Sequence, residues 1–193
     1  MTDLGLSVRG PVLVRDVVRL AAFISVVVGL LAFGAIAGAL FLLVLGGTVI
    51  PRVLEAPAAL DASYCVVILF AAWAAELDWY LRVGWLDVVL HAAATGLIAA
   101  MVHVLLVRVG ALPPVDRATP TGPRIGAAVA TTALGMALAV VWEFGEWFGH
   151  TYLDQRIQVG YTDTVGDLAA GAAGALVAAV LLGRGVLLAG SRR

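Results

Sequence analysis

Lysine is absent from this chain, cysteine occurs once, and charged residues fill only 13% of the 193 positions. Each scarcity excludes something. With Cys65 alone, there is neither an intramolecular disulfide nor a cysteine metal knuckle. All 12 basic residues are arginine, set against 13 acids for a net charge of −1, so composition gives no reason to expect a nucleic-acid partner. A soluble domain usually carries about a quarter charged residues, and no soluble domain is expected here. The N-terminus lacks a small-residue cleavage site after a short apolar core, so the first apolar span reads as retained. No internal repeat is evident.

What the chain has is apolar length. Hydrophobic residues make up 62% and fall in blocks: 17–51 holds one charge, Arg19, and 92–107 and 125–142 hold none. Roughly 18 or more uncharged apolar residues mark a membrane span. Four spans are expected over residues 62–80, 86–107, 124–148 and 163–183. The block 18–50 would be roughly 50 Å long as one helix, beyond a bilayer core of ~30 Å. As two helices, 18–33 and 36–50, broken near Gly34-Ala35-Ile36-Ala37-Gly38, each would be short, about 22–25 Å. Arginine placement decides, because cytoplasmic loops are enriched in it. With six helices, Arg9, Arg15, Arg19, Arg52, Arg108, Arg117, Arg124, Arg184, Arg192 and Arg193 share one side. Only Arg82 and Arg156 take the other. With five helices the bias nearly vanishes.

The expectation is therefore an all-α, polytopic membrane bundle: one membrane domain over residues 1–193, six transmembrane helices, both termini cytoplasmic. A cytoplasmic loop, 108–123, contains Pro113, Pro114, Pro120 and Pro123. The setting is the plasma or inner membrane, spanned several times. Trp73, Trp79, Trp85, Trp142 and Trp147, with Tyr80, Tyr152 and Tyr161, fall near the outer helix ends, where amphipathic rings concentrate; a belt on one leaflet alone is unusual, so walls of a site are the alternative for some of them.

Ionisable groups in membrane helices are functional candidates, and here they gather near the outer face. Asp87 and His91 stand at i, i+4, Glu143 and Glu146 at i, i+3, and Asp163 and Asp167 at i, i+4, so each pair shares a helix face. Three such faces at similar depth point to one polar centre. Small residues on the last two helices (Gly166, Ala170 and Gly174; Gly171 and Ala175; Gly126, Ala130, Gly135 and Ala139) allow close approach. Crowded like charges must hold protons, pair with cations or bind metal. Oxygen ligands plus one imidazole suit a divalent metal ion such as Mg²⁺, Mn²⁺ or Zn²⁺. The candidate metal ligands are His91, Asp87, Glu143, Glu146, Asp163 and Asp167, and the candidate catalytic groups are Glu143, Glu146 and Asp167.

Plainer roles compete. Asp87 and Asp163 suit helix capping. Glu76 and Asp78 suit an interfacial pairing with Arg82, while Asp154 and Arg156 suit a solvated loop. His103 suits a hydrogen-bonded place in the core, and His150 an interfacial one.

The series Asp87-x-x-x-His91, Trp142-Glu143-x-x-Glu146-Trp147 and Asp163-Thr164-x-x-Asp167-Leu168 resembles the YjdF-like family of predicted bacterial inner-membrane proteins. That family shares D-x-x-x-H, E-x-x-E-W and D-[TA]-x-x-D on its last helices. The likeness covers roughly residues 62–180, and the N-terminal hairpin matches only in hydropathy. Some members carry a longer Gln- and Gly-rich lead into the aspartate step, where this chain has Gly160-Tyr161-Thr162. More distantly, the layout is similar to VanZ-like membrane proteins, which carry an acid–His pair, a later Glu and a D-x-x-x-N step. The resemblance implies an architecture and a set of important positions. The association of VanZ-like proteins with glycopeptide tolerance points toward envelope or lipid-linked substrates.

Three functions are compatible with these residues. A metal-assisted hydrolase or transferase would act at the outer leaflet on a lipid or envelope precursor, with Asp87 orienting His91. A non-catalytic membrane factor supporting envelope enzymes would use the acids as ion-pair glue. A proton- or cation-coupled transporter would exchange protons with substrate, but no ionisable chain continues to the cytoplasmic face.

Overall fold

The computed structural model describes residues 14–187, with side chains from Asp16 onward. Arg9, Arg192, Arg193 and the Arg15 side chain lie outside the described residues. Within them the protein is all helical, and six helices are long and apolar enough to cross a membrane. The first, α1 (Val14–Val28), continues through a wider π-helical turn, Gly29–Phe33. It stops at Gly34, whose φ of 103° and ψ of −175° exclude a side chain of ordinary stereochemistry. α2 (Ala35–Val53) runs back down, so the apolar block 18–50 is two helices and not one.

α3 (Ala58–Glu76) begins directly after Pro57, whose fixed φ suits a helix start. It ends before Asp78, which sits in the left-handed region (φ 55°) that Asp tolerates. The tryptophan-rich corner expected to close that span forms instead a separate single turn, α4 (Trp79–Arg82). α5 (Leu86–Arg108), α6 (Thr121–Tyr152) and α7 (Tyr161–Gly183) complete the bundle. α6 starts within the proline-rich loop because Pro120 stands just before its first turn and Pro123 in that turn, where no N–H is missed.

The spans alternate in direction. Side-chain bonds tie the start of α1 to the end of α2 and the start of α3, through Arg19 to Thr48 and Asp61. α5, α6 and α7 pack on one another, α1, α2 and α3 form a second group, and α3 against α5 joins the two. Arg19, Arg52, Arg108, Arg117, Arg124 and Arg184 therefore lie toward one end of the bundle, and Arg82 and Arg156 at the other.

Most large apolar side chains face outward, as a bilayer solvent permits. Contact between α5, α6 and α7 is made by small residues instead. A Cβ on Gly96 would lie 2.8 Å from the Gly174 carbonyl oxygen. One on Gly135 would lie 2.8 Å and 2.9 Å from the Cβ atoms of Ala99 and Ala175, and one on Gly174 would overlap the Ala92 carbonyl. Gly126 and Gly166 face open space; they stand in the same sequence stripes without holding helices together.

Candidate functional site

Close packing of α5 on α7 brings the acidic turns together. His91, in the second turn of α5, is central. Its Nε2 lies 3.4 Å from Asp87 Oδ1, one turn earlier. Its Nδ1 lies 3.7 Å from Asp167 Oδ1 of α7 and 3.9 Å from Glu143 Oε1 of α6. Three helices thus present carboxylates to one imidazole. Asp167 and Glu143 are buried, while Asp87 and His91 are partly open. Asp87, His91 and Asp167 each offer a ligand atom within 4.8 Å of the others.

Those separations carry information. An N–H···O bond measures about 2.7–3.2 Å, so all three gaps are wider. Ligands held at about 2.0–2.2 Å around one cation stand roughly 3.0–3.7 Å apart at angles of about 90–120°. One ion can take only one ring nitrogen, so the relevant gaps are those from Nδ1 to Asp167 and Glu143, 3.7 Å and 3.9 Å, which lie at and just beyond that range; this donor set suits a small divalent ion after a modest inward movement of Glu143.

The remaining candidates sit around this group. Glu146 is half-buried one turn beyond Glu143, in the field of Glu143, Asp167 and Asp87 and beside Trp142. Asp163 stands in the first turn of α7, where Gln158 Nε2 donates to its Oδ1 at 3.4 Å; it does not reach His91 within ion-pair distance. Thr164 turns its hydroxyl to Glu143. Along the same face of α5, Thr95 lies below His91 and is covered by Gly171 of α7.

One of the outer aromatics walls the site. Tyr80, on the single turn α4, donates its hydroxyl to the Ala71 carbonyl at 3.0 Å. Burial, and then the charges of Asp87, Glu146 and Asp167, hold its phenol well above the ordinary range, so it stays protonated beside the acids. The sequence leaves Tyr80 between two roles, belt residue or wall of a site, and its place between Asp78 and Asp87 accords with the second.

The other ionisable groups fall elsewhere. Asp154 and Arg156 are bonded to each other in the α6–α7 loop, at 2.7 Å for the shortest contact. Those bonds hold the Asp154 carboxyl below its usual range. Arg156, not Arg82, faces Glu76 and Asp78. His150 Nδ1 donates to the Ile157 carbonyl at 2.6 Å and pins that loop. His103 is buried against Thr131, 3.0 Å away. The Thr131 hydroxyl donates to the Ala127 carbonyl, so His103 Nδ1 carries the proton of that contact. Sequence reading also missed a buried ion pair: Arg19 Nη2 meets Asp61 Oδ1 at 2.7 Å, and Asp61 is 2% exposed.

Neither a curated protein nor a solved structure matches the chain. A family model described as "Predicted membrane protein (DUF2238)" matches residues 12–186, nearly the whole chain. With that extent of match and its six apolar spans, the chain belongs to the DUF2238 family of predicted membrane proteins and is a multi-pass membrane protein.

Proposed function

We propose that this protein holds a divalent metal ion at the outer face of the plasma or inner membrane and acts there, as a hydrolase or transferase, on a lipid or envelope precursor. The orientation, with both termini in the cytoplasm, rests on the arginine bias between the two ends. The single membrane domain and the closer naming as YjdF-like, distantly VanZ-like, belong to the same proposal.

The observation that carries the reading is His91 with both ring nitrogens turned to carboxylates across gaps wider than hydrogen bonds. Asp87 stands 3.4 Å from Nε2, close enough that a small approach would let it accept the Nε2 proton and orient the ring, leaving Nδ1 to face Asp167 and Glu143. Asp167, Glu143 and His91 would hold the metal. When bound, it supplies an activated water or a polarised phosphoryl oxygen. Glu146, one turn further out and not in contact with His91, is suited to accept and return a proton. Asp163 orders the rim through Gln158.

The position of the centre suits a membrane-surface substrate. α6 has 32 residues, about 48 Å, against a bilayer core of ~30 Å. Measured from Arg124, that core ends roughly at residue 144, so Glu143 and Glu146 fall at the boundary among exposed Trp142, Trp147 and Tyr152. Transport is disfavoured by what lies behind the centre. At Gly96, Gly174 and Gly135 the helices approach too closely for even a Cβ, and water needs more room than that.

A second reading draws on the same geometry: a protonated His91 between Asp87 and Asp167 would tie α5 to α7 in a non-catalytic factor. Metal analysis separates the two. Protein purified with Mn²⁺, Zn²⁺ or Mg²⁺ supplied should retain near-stoichiometric metal. His91→Ala and Asp167→Asn should lose it, and His103→Ala should keep it. A wild-type protein free of metal under all three conditions would leave only the tie.

A further inference from the structure

Among the described residues, the arginines at the end assigned to the cytoplasm divide into two groups. Those on the first helices and α5 meet acids: Arg19 with Asp61, Arg52 with Asp16 at 3.3 Å, and Arg108 with Glu55. Arg117, Arg124 and Arg184 have no ion-pair partner among the described residues, yet they converge on one corner. Arg117 Nε donates to the Arg184 carbonyl at 3.0 Å, which places its guanidinium over the end of α7. The side chain of Arg124 lies 3.4–3.5 Å from where a Cβ on Gly183 would stand. The C-terminal end of α7 attracts cations by its own dipole, but the one bond it accepts here comes from Arg117 Nε, and Arg117 and Arg184 are exposed while Arg124 is partly so.

The surroundings add to the positive potential. Arg124 belongs to the first turn of α6, whose preceding residue, Pro120, makes no side-chain cap, and Gly122 faces open space. The N–H groups of Thr121 and Gly122 at the start of this 32-residue helix favour an anion, whereas Pro123 has none and that of Arg124 meets the Pro120 carbonyl. The nearest acid in sequence, Asp116, is engaged with the backbone of Ala118 and Thr119. Beneath the corner, Ile125 and Val129 of α6 and Val180 of α7 are exposed and apolar. A ligand that suits both levels has a negative head and hydrocarbon tails.

We propose that Arg117, Arg124 and Arg184 form a binding site for the headgroup of an anionic phospholipid, whose acyl chains lie along α6 and α7. The site is independent of the metal centre at the opposite end. Each arginine near an anionic headgroup contributes roughly fivefold in affinity, so three contribute roughly a hundredfold.

The test is native mass spectrometry of detergent-purified full-length protein titrated with phosphatidylglycerol or phosphatidylcholine. Wild type should prefer phosphatidylglycerol by roughly a hundredfold at low salt, and less as salt screens the corner. The triple replacement Arg117→Gln, Arg124→Gln, Arg184→Gln should lose the preference, and Arg184→Gln alone should lower it about fivefold. Arg82→Gln, at an arginine of the other end with no ion-pair partner among the described residues, should leave it unchanged. Three results would overturn the site: a preference that survives both Gln variants, one that falls equally in Arg82→Gln, or full competition by millimolar inorganic phosphate. The last would mean a free-anion site. Metal retention measured on the same variants keeps this outcome separate from that of the outer centre.

Discussion

Replacing Gly174 by alanine tests the framework that brings the acidic turns together. An added Cβ would overlap the Ala92 carbonyl oxygen and lie 2.6 Å from its carbon. Carbon atoms in contact stand about 3.5–4.0 Å apart, so α5 and α7 would have to part by roughly 1 Å. The obstacle is backbone, which cannot rotate aside. Overpacking of this kind costs about 1–3 kcal/mol, and in a chain of this size that lowers the melting temperature by roughly 2–12 °C. Ala92 follows His91 directly, so the same shift widens the gap from His91 to Asp167. Misplacement of that size is expected to weaken metal binding about tenfold or more. Thermal unfolding in detergent and a Mn²⁺ titration measure the two effects. Gly126→Ala and Gly166→Ala, which meet nothing within 4 Å, serve as controls and should leave both unchanged. If Gly174→Ala melts and binds like wild type, close α5–α7 packing does not set the geometry of the centre.

Other outcomes follow from particular contacts. Asp87→Asn should retain metal with about 10–100-fold lower affinity, because Asp87 orients His91, whereas Asp167→Asn removes a ligand and should abolish binding in the same titration. Asp61→Asn removes the closer of the two acids beside the mostly buried Arg19, leaving Asp16 at 3.7 Å, and should destabilise the fold by about 3 kcal/mol, measured by chemical unfolding. Arg156→Gln, at an exposed pair, should have no measurable effect there. Tyr80→Phe removes the donation to Ala71 and should cost about 1 kcal/mol. Its phenol should also be missing from the late, strongly alkaline part of the wild-type tyrosine titration, since its proton is held well above the ordinary range.

The features legible in the sequence are those that depend on local spacing. Long apolar blocks identify helices, and Gly34 can mark the break in residues 18–50 because only glycine takes its backbone conformation readily. Pairs three or four apart put Asp87 with His91, and Glu143 with Glu146, on single helix faces. Features that depend on chain pairing were hidden. Arg19 and Asp61 lie 42 residues apart, and nothing in the spacing of either shows the other. Gly174 and Gly126 look alike in their stripes, yet one meets backbone and the other nothing, because which face turns inward is decided by neighbouring helices. Which of the outer aromatics walls the site was not legible, because the left-handed turn at Asp78 swings Tyr80 away from the α3 axis. Asp163 and Glu146 share helices with the closest residues but sit at the rim, a difference of rotation that period alone does not resolve.

The central claim is that His91 and the carboxylates of α6 and α7 hold one cation between them. Electron spin-echo spectroscopy of Mn²⁺ bound to the purified protein addresses it directly, because a ligating imidazole imprints nitrogen modulation on the echo. The expected spectrum shows coupling to one histidine nitrogen that disappears in His91→Gln and persists in His103→Gln. Bound Mn²⁺ without nitrogen coupling, or coupling that survives His91→Gln, would contradict the proposed centre.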